Sequence, residues 1–263
     1  MTAPTHDRRT ILVRTPSPLL ADGEVTHIER ADAVDVALAR QQWADYIEVF
    51  RRHGWDVIEL PALPDHPDGV FVEDVVVMYG ELAVITRPGT TSRLGEIDGV
   101  GTQLVDLGYR VAAIEEPGTL DGGDVLKVNT TIYIGLGGRT NIEGIEQFRS
   151  FVEPMGATVV AVPMTKALHL KSAVTALPDD TVIGFDPIVD DPTVFGTYLG
   201  VPEEPGAHVV EIDDDTVVMT ARTPQTRALL EQRGLTVVVT DIGEFEKLEG
   251  CVTCLSVRLR TNP

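Results

Sequence analysis

Cysteine and positive charge are scarce in this 263-residue sequence. Two cysteines cannot provide a disulfide framework, so the sequence predicts a protein of the reducing cytoplasm. Lysine and arginine total 21 against 41 aspartate and glutamate residues, and the net charge of −20 argues against nucleic acid and anionic membranes as partners. No apolar run reaches the length of a membrane span, and the N-terminal residues lack the apolar stretch of a secretory signal. A small molecule is the expected partner, and a homodimer is left open.

Four glycines mark a pattern that recurs along the chain. Gly54, Gly108, Gly156 and Gly234 each end a helical stretch and precede a strand rich in β-branched residues, as expected of left-handed helix caps. A second strand follows, which begins at a polar residue, and most units continue with a third strand and a helix. Repeats of this kind close into rings or solenoids, because each needs a neighbour to cover its apolar face.

The two ends of the chain complete this pattern. The strand 11–16 and the helix 37–54 would join the strand 255–259 in one unit and close a ring of five. One unit is degenerate, since its predicted helix over 191–200 is weak and no clear first strand precedes 208–212. We therefore predict a single α/β domain over residues 1–263. The alternative is a doubly wound α/β sheet, which would need helices that alternate with single strands.

Polar residues at the start of the second strands would meet at one end of such a ring. They lie in the segments Asp68–Asp74, Asp121–Asp124, His169–Ser172 and Cys251–Ser256. Taken singly, they are ordinary turn residues, strand starts, a core histidine or an inert buried cysteine. Taken together, they place a cysteine, a histidine and several carboxylates at the same position of separate repeats. Cysteine with histidine forms a nucleophile and proton-shuttle set, and the carboxylates indicate a cationic electrophile.

The spacing of Cys251 and Cys254 allows several interpretations. A structural zinc site would need a second pair of ligands, which the sequence lacks. A thioredoxin-like motif would open a helix, whereas a strand is predicted after Cys254. Pairing of the two sulfurs stays open.

Six short strings carry a family resemblance. FVEDV, ITRPGTTSRLGE, LDGGDVL, IGLGGRTN, HLKS and TCLSV, in this order and spacing, resemble the dimethylarginine dimethylaminohydrolases, guanidine-modifying enzymes of the pentein superfamily. The resemblance covers nearly the whole chain. It implies the pentein fold, a five-bladed pseudosymmetric α/β propeller of ββαβ units. It also implies that the reaction needs neither a metal nor an organic cofactor.

The resemblance further implies roles for individual residues. Cys254 would be the nucleophile, His169 the general acid and base, and Asp121 the carboxylate that orients His169. The implied substrate-binding residues are Glu73 and Asp74 for the guanidinium, Asp68 for the amino-acid end, Arg93 and Arg139 for the carboxylate, and Leu20 in a lid. Gly69 and Leu255 depart from the family pattern, which bears on lid shape and substrate preference more than on the chemistry.

The implied reaction is hydrolysis of asymmetric dimethylarginine or monomethylarginine to citrulline and dimethylamine or methylamine, through a covalent thiouronium on Cys254. A pair of arginine forks suits an α-carboxylate, so a free amino acid is favoured over agmatine. An arginine deiminase-type hydrolase or an amidinotransferase would use the same cysteine, histidine and aspartate. A non-catalytic module that binds arginine-like ligands is another class, but it would need the carboxylates and no nucleophile.

Overall fold

Small three-stranded sheets form the body of the computed structural model, which describes residues 9–29 and 32–259. The described strands make five such sheets, and each sheet combines one antiparallel pair with one parallel pair. The domain predicted over residues 1–263 includes residues 1–8 and 260–263, which lie outside the described range. Residues 1–8 also belong to the N-terminal stretch in which the sequence predicts no secretory signal. Among the described residues, no helix is both long and apolar enough to cross a bilayer.

Each sheet belongs to one repeat unit, which we number from the N-terminus. Unit one contains β1 (Thr10–Arg14), α1 (Val36–Arg52) and β2 (Asp56–Leu60). Unit two contains β3 (Val76–Tyr79), β4 (Leu82–Ile85), α2 (Val100–Asp106) and β5 (Arg110–Ala113). Unit three contains β6 (Val125–Val128), β7 (Thr131–Leu136), α3 (Ile142–Val152) and β8 (Thr158–Pro163).

The last two units are shorter. Unit four contains the single helical turn α4 (Leu170–Ala173), β9 (Val174–Ala176), β10 (Val182–Gly184) and β11 (Tyr198–Gly200). Unit five contains β12 (Val210–Glu211), β13 (Thr216–Thr220), α5 (Pro224–Gln232) and β14 (Thr236–Thr240). The turn α6 (Gly243–Glu246) and β15 (Val257–Leu259) follow. Since β15 pairs antiparallel with β1, it completes unit one as its first strand.

Local sequence explains where the helices begin and end. Asp35 accepts hydrogen bonds from Ala37 N and Leu38 N at the start of α1, and Asn141 accepts one from Gly144 N at the start of α3. The four glycines that the sequence marked as helix caps all have φ between 78° and 95°, in the left-handed region. The helix-then-strand pattern that they predict is confirmed.

Within the described residues the core consists of five clusters, and each lies between two neighbouring units. Along β3, Val76 and Met78 face the cluster shared with unit one, whereas Val77 and Tyr79 face the cluster shared with unit three, as the alternation of a strand requires. The remaining clusters join units three and four, units four and five, and units five and one. The core therefore runs around a closed ring. The predicted five-bladed α/β propeller is confirmed, and the doubly wound sheet is excluded.

Unit four departs from the sequence prediction. The helix predicted over 191–200 is wrong, because this stretch forms a 3-10 turn at Pro192–Val194 and then β11. Proline and glycine in so short a stretch interrupt helical hydrogen bonding. The prediction that no clear first strand precedes 208–212 is also wrong, since β11 occupies that place and pairs parallel with β10.

Candidate active site

Segments that precede β3, β6 and β15 converge at one end of the ring. Gly123 N donates to Asp74 Oδ1 at 2.9 Å, and Glu73 N donates to the carbonyl oxygen of Cys254 at 3.3 Å. These bonds cross from unit to unit, because the inner strands of a ring start side by side. The polar segments therefore meet where the repeat pattern places them.

Two glycines allow the close approach. A Cβ atom at Gly123 would lie 2.7 Å from both Asp74 Oδ1 and His169 Nδ1, and a Cβ atom at Gly122 would overlap the backbone of Glu73. No side chain fits at either position. The glycine pair in LDGGD thus brings the backbone directly against the polar groups of two neighbouring units.

His169 is buried among carboxylates. Its Nε2 lies 2.9 Å from Asp121 Oδ2, and its Nδ1 lies 3.9 Å from Asp74 Oδ1. Asp121 is held in turn by Gly89 N, which donates to Oδ1 at 2.8 Å. Burial lowers the pKa of His169, but the carboxylates of Asp74, Asp121 and Asp124 outweigh burial and raise it to about 9. The ring is therefore an imidazolium at neutral pH, and Nδ1 is its proton-bearing atom away from Asp121.

Asp74 carries a firm negative charge. Arg93 Nη1 donates to its Oδ2 at 2.7 Å. Burial raises the pKa of Asp74, but the charges of His169 and Arg93 outweigh burial and lower it to about 2. Arg93 also donates from Nε and Nη2 to Glu96, so its guanidinium is engaged by two carboxylates. Asp74 can still accept from a cation, because a carboxylate has about four acceptor positions.

Glu73 points away from this site. Its Oε1 accepts from Lys171 Nζ at 2.7 Å, and its Oε2 accepts from Thr253 Oγ1 at 2.7 Å. Burial raises the pKa of Glu73, against the opposing charge of Lys171. The side chain lines a cavity of about 450 Å³ formed by β6, β9, β12 and β15 together with residues that precede and follow these strands. We call this the axial cavity.

Cys254 lies on the site side, in the turn before β15. Its backbone N donates to the Cys251 carbonyl oxygen at 3.1 Å, and the two Sγ atoms are 3.2 Å apart. The hydrogen bond with Cys251, burial and the negative charges of Glu73 and Asp74 all raise the pKa of the Cys254 thiol. Without a bound cation, Cys254 is therefore a neutral thiol.

A small cavity of about 30 Å³ joins these groups, and we call it the site cavity. Cys254, His169, Asp74, Asp68, Arg93 and Arg139 line it together with Glu24, Phe71, Leu168, Leu248, Glu249 and Gly250. Of the predicted site residues, Asp121 contacts the cavity through His169, whereas Glu73 and Leu20 do not line it. The volume holds a few water molecules at most.

The segment that follows Leu20 closes the site cavity. Leu20 is fully buried in the core, and its carbonyl oxygen accepts from Gly23 N at 3.1 Å. Arg139 Nη2 donates to Glu24 Oε2 at 3.2 Å, and Asp68 Oδ2 accepts from Glu24 N at 3.1 Å. Glu24 thus pairs with Arg139, whose guanidinium the resemblance assigns to binding of the substrate carboxylate.

Glu249 fastens the same segment. Its carboxylate accepts from Thr26 N at 3.0 Å, from Ile28 N at 2.8 Å and from His27 N. Residues 20–28 form what we call the closing segment, and a ligand anion that pairs with Arg139 has to displace the Glu24 carboxylate that this segment carries.

Sequence reasoning missed Glu24, Glu96, Lys171 and Glu249, which together hold the arginines, Glu73 and the closing segment. Glu24 and Glu249 lie in irregular loops, so no periodicity marks them. Lys171 could have been identified from the sequence, because it lies two residues after His169 in the string HLKS.

Asp74, Asp121 and His169 offer ligand atoms within 4.8 Å of one another, a spacing that a metal ion could use. The chemistry of this set does not favour one. Binding through His169 Nδ1 would have to displace a proton held with a pKa of about 9, and Arg93 already donates to Asp74 at 2.7 Å. The anionic pocket instead suits an organic cation that donates hydrogen bonds.

Known proteins share this arrangement of sequence and fold. A dimethylarginine dimethylaminohydrolase from Streptomyces coelicolor is 57% identical over 249 residues, which cover 95% of this chain and 96% of that protein. The chain belongs to this family. The arginine deiminase family profile matches residues 106–200, which lie in units two to four.

Solved structures of dimethylarginine dimethylaminohydrolases superpose closely. The Pseudomonas aeruginosa enzyme, in a cysteine-to-serine mutant complexed with citrulline, has a TM-score of 0.88 and 33% identity and covers 96% of this chain and 99% of its own. A histidine-to-glycine adduct with S-methyl-L-thiocitrulline has a TM-score of 0.89 and 32% identity, with coverage of 96% and 100%. The pentein fold implied by the resemblance is confirmed.

Proposed function

We propose that this chain hydrolyses N-ω-methylated arginine to citrulline and methylamine or dimethylamine. The observation that carries the proposal is that Cys254, the His169 imidazolium and the Asp74 anion line one cavity. A nucleophile, an acid and a cation-binding carboxylate are the groups that this hydrolysis needs. The family relatives that carry citrulline and a thiocitrulline adduct support the same chemistry.

Substrate binding begins with opening of the closing segment. The α-carboxylate of the substrate takes the place of Glu24 on Arg139, where a guanidinium fork suits a planar anion. Asp68 lies beside this place, since it accepts from Glu24 N, and it binds the α-amino group. The guanidinium of the substrate then reaches Asp74. Arg93, which Asp74 and Glu96 engage, acts chiefly by holding Asp74 in position.

The bound cation activates the nucleophile. A neutral Cys254 thiol lies beside two carboxylates that disfavour its thiolate. The guanidinium cancels that negative potential, so the thiol pKa falls and its proton leaves to solvent. The thiolate attacks the guanidinium carbon, and a sulfur–carbon bond forms in a tetrahedral adduct.

His169 moves the protons of the two later steps. The imidazolium gives its Nδ1 proton to the departing amine as the carbon–nitrogen bond breaks, which leaves a thiouronium on Cys254. Neutral His169 then takes a proton from water as the water attacks the same carbon. The carbon–sulfur bond then breaks as the remaining hydroxyl proton of the adduct passes to the leaving sulfur, which restores the Cys254 thiol and releases citrulline. Asp121 keeps the ring oriented throughout.

Product analysis tests the proposal against its rivals. Purified protein is incubated with dimethylarginine, monomethylarginine, arginine and agmatine, and citrulline and released amine are measured together. We expect the highest kcat/KM on a methylated arginine. Arginine turned over better than both methylated forms would indicate a deiminase, for which the match at residues 106–200 is the supporting observation. Transfer to an added amine, with no product in water alone, would indicate an amidinotransferase.

The arginine assignments separate in the same assay. Arg139→Lys keeps the charge but loses the fork, so KM should rise for dimethylarginine and change little for agmatine, which has no carboxylate. Equal effects on both compounds would place the carboxylate elsewhere.

The setting of the enzyme is part of the proposal. We infer a single catalytic domain over residues 1–263 that works in the cytoplasm without nucleic acid or membrane partners, in keeping with its charge of −20 and two free cysteines. Light scattering on the purified protein separates a monomer from the homodimer that the sequence leaves open.

A further inference from the structure

Cys251 and Cys254 bring two free thiols together. Their Sγ atoms are 3.2 Å apart, and Cys251 N donates to Cys254 Sγ at 3.4 Å. The turn between them holds both side chains on the same side of the backbone. The sulfur atoms need to approach by only about 1.2 Å to reach the length of a disulfide bond.

Cys251 lines a cavity that the proposed mechanism does not use. This side cavity measures about 280 Å³. Leu168, Glu249 and Gly250 line both the side cavity and the site cavity, so they form the partition between the two. Cys251 is on one side of the partition and Cys254 on the other. A small reagent in the side cavity therefore meets Cys251 first.

The surroundings favour reaction at Cys251. The hydrogen bond with Cys254 and the nearby His208 ring lower the pKa of the Cys251 thiol. His208 is fixed there, because its Nε2 bonds the Ser172 carbonyl oxygen at 2.8 Å. The thiolate form is the nucleophile in thiol–disulfide exchange. Cys251 is thus the attacking sulfur, and Cys254 is the sulfur that resolves the product.

We propose that Cys251 and Cys254 form a reactive thiol pair, which a low-molecular-weight disulfide in the side cavity converts to an intramolecular disulfide. Closure of this bond removes the Cys254 nucleophile, so the consequence for activity rests on the proposed function. Reduction by a thiol restores both side chains.

The exchange balances in two steps. The Cys251 thiolate attacks one sulfur of the reagent, a mixed disulfide forms, and the first reagent thiol leaves. Cys254 then attacks Cys251 Sγ, the mixed disulfide breaks, and the second reagent thiol leaves. The two protein thiols are oxidised by two electrons, the reagent is reduced by two, and the two thiol protons end on the released thiols.

Mass spectrometry with bis(2-hydroxyethyl) disulfide as the probe tests this order. The wild-type protein should lose two hydrogen atoms, carry no lasting adduct, lose activity in parallel, and regain both mass and activity with dithiothreitol. Cys254→Ser should accumulate a mixed disulfide on Cys251, because the resolving sulfur is gone. Without the reagent, Cys251→Ser should be as active as the wild type. In the presence of the reagent, its activity should fall roughly tenfold more slowly than that of the wild type, because Cys254 does not line the side cavity.

Two results would overturn the proposal. One is a lasting adduct on the wild-type protein without loss of two hydrogen atoms. The other is a faster adduct on Cys251→Ser than on Cys254→Ser. Cys251→Ala repeats the test if the serine variant does not fold. The mass readout does not depend on turnover, so a disulfide in a protein inactive on methylarginines would refute the proposed function and leave the thiol pair standing.

Discussion

Glu73 and Asp74 are neighbours in the chain, yet they face opposite ends of the ring. Asp74 lies at the site cavity of about 30 Å³, where the His169 imidazolium helps to hold it as an anion. Glu73 lies at the axial cavity of about 450 Å³, where Lys171 binds it. One end is tight and charged, and the other is wide and contains the ion pairs Lys171–Glu73 and Arg258–Glu211.

The backbone explains this divergence. Glu73 and Asp74 lie in a 3-10 turn at Val72–Val75. With about three residues per turn, successive side chains point about 120° apart. The two adjacent acidic residues thus supply one carboxylate to each end of the ring. Substitutions at the two ends should therefore have different effects on activity and stability.

The largest difference should come from the nucleophile. Cys254→Ser should lower kcat by about a thousandfold or more, because serine is a far weaker nucleophile without a strong base. Thr253→Val removes the neighbouring hydroxyl that bonds Glu73 toward the axial cavity, and it should keep most of the activity. Citrulline release from dimethylarginine measures both. Similar losses in the two variants would remove the distinction between the ends.

The free energy of unfolding should vary with pH because of His169 at the site end. The pKa of His169 is raised from 6.5 to about 9 on folding, so its contribution is fully present below pH 6.5 and is lost as the pH rises through 9. The expected loss is on the order of 3 kcal/mol. Urea unfolding at a series of pH values measures it. His169→Gln should flatten the curve in this range, and an unchanged curve would contradict the charged histidine.

Substitutions of the two adjacent acidic residues, Glu73 and Asp74, should affect different properties. Asp74→Asn should lower kcat/KM roughly 10- to 150-fold, as expected from the loss of a charge-assisted hydrogen bond worth about 1.5–3 kcal/mol. Glu73→Gln should instead lower Tm by about 2–4 °C, with a smaller effect on kcat/KM, because it disturbs Lys171 rather than the substrate. Steady-state kinetics and thermal unfolding of both variants test this. The reverse pattern would give Glu73 the substrate role that the resemblance implies.

The smallest effect should come from the closing segment. Glu24→Gln removes the carboxylate that competes for Arg139, so KM should fall by up to about fivefold while kcat stays constant, as expected of a partly exposed ion pair. Glu211→Gln is the matched control, since Glu211 pairs with Arg258 at the axial cavity. A KM that rises in Glu24→Gln would mean that Glu24 helps to bind the substrate.

Much of the fold was readable from the sequence, because helix caps and strands are local signals. Gly54 and the three equivalent glycines mark helix ends because the left-handed backbone conformation at those positions favours glycine, and β-branched runs mark the strands that follow. The strand β11 escaped prediction because it has only three residues, none of them fully buried, and follows no helix. Tertiary pairing with β10, which the sequence does not display, makes it a strand.

The site was predictable to the extent that it follows the repeat. Asp74, His169 and Cys254 lie just before the first strands of units two, four and one, so the ring brings them together. The direction of Glu73 was not predictable, since it depends on the pitch of one turn. Glu24 could not be found either, because its partner Arg139 is distant in sequence and Glu24 itself lies in an irregular loop.

Closure of the ring by β15 and β1 sets the order in which the molecule can be made. Synthesis on the ribosome releases β1 early, with β2 as its parallel neighbour and its other edge unpaired. That edge waits for β15 while nearly the whole described chain is translated, and the closing contact carries the largest loop entropy in the fold. Cys254 stands just before β15, so a ribosome-bound intermediate lacks the nucleophile until the ring is ready to close. Reactivity and completion of the fold thus arrive together.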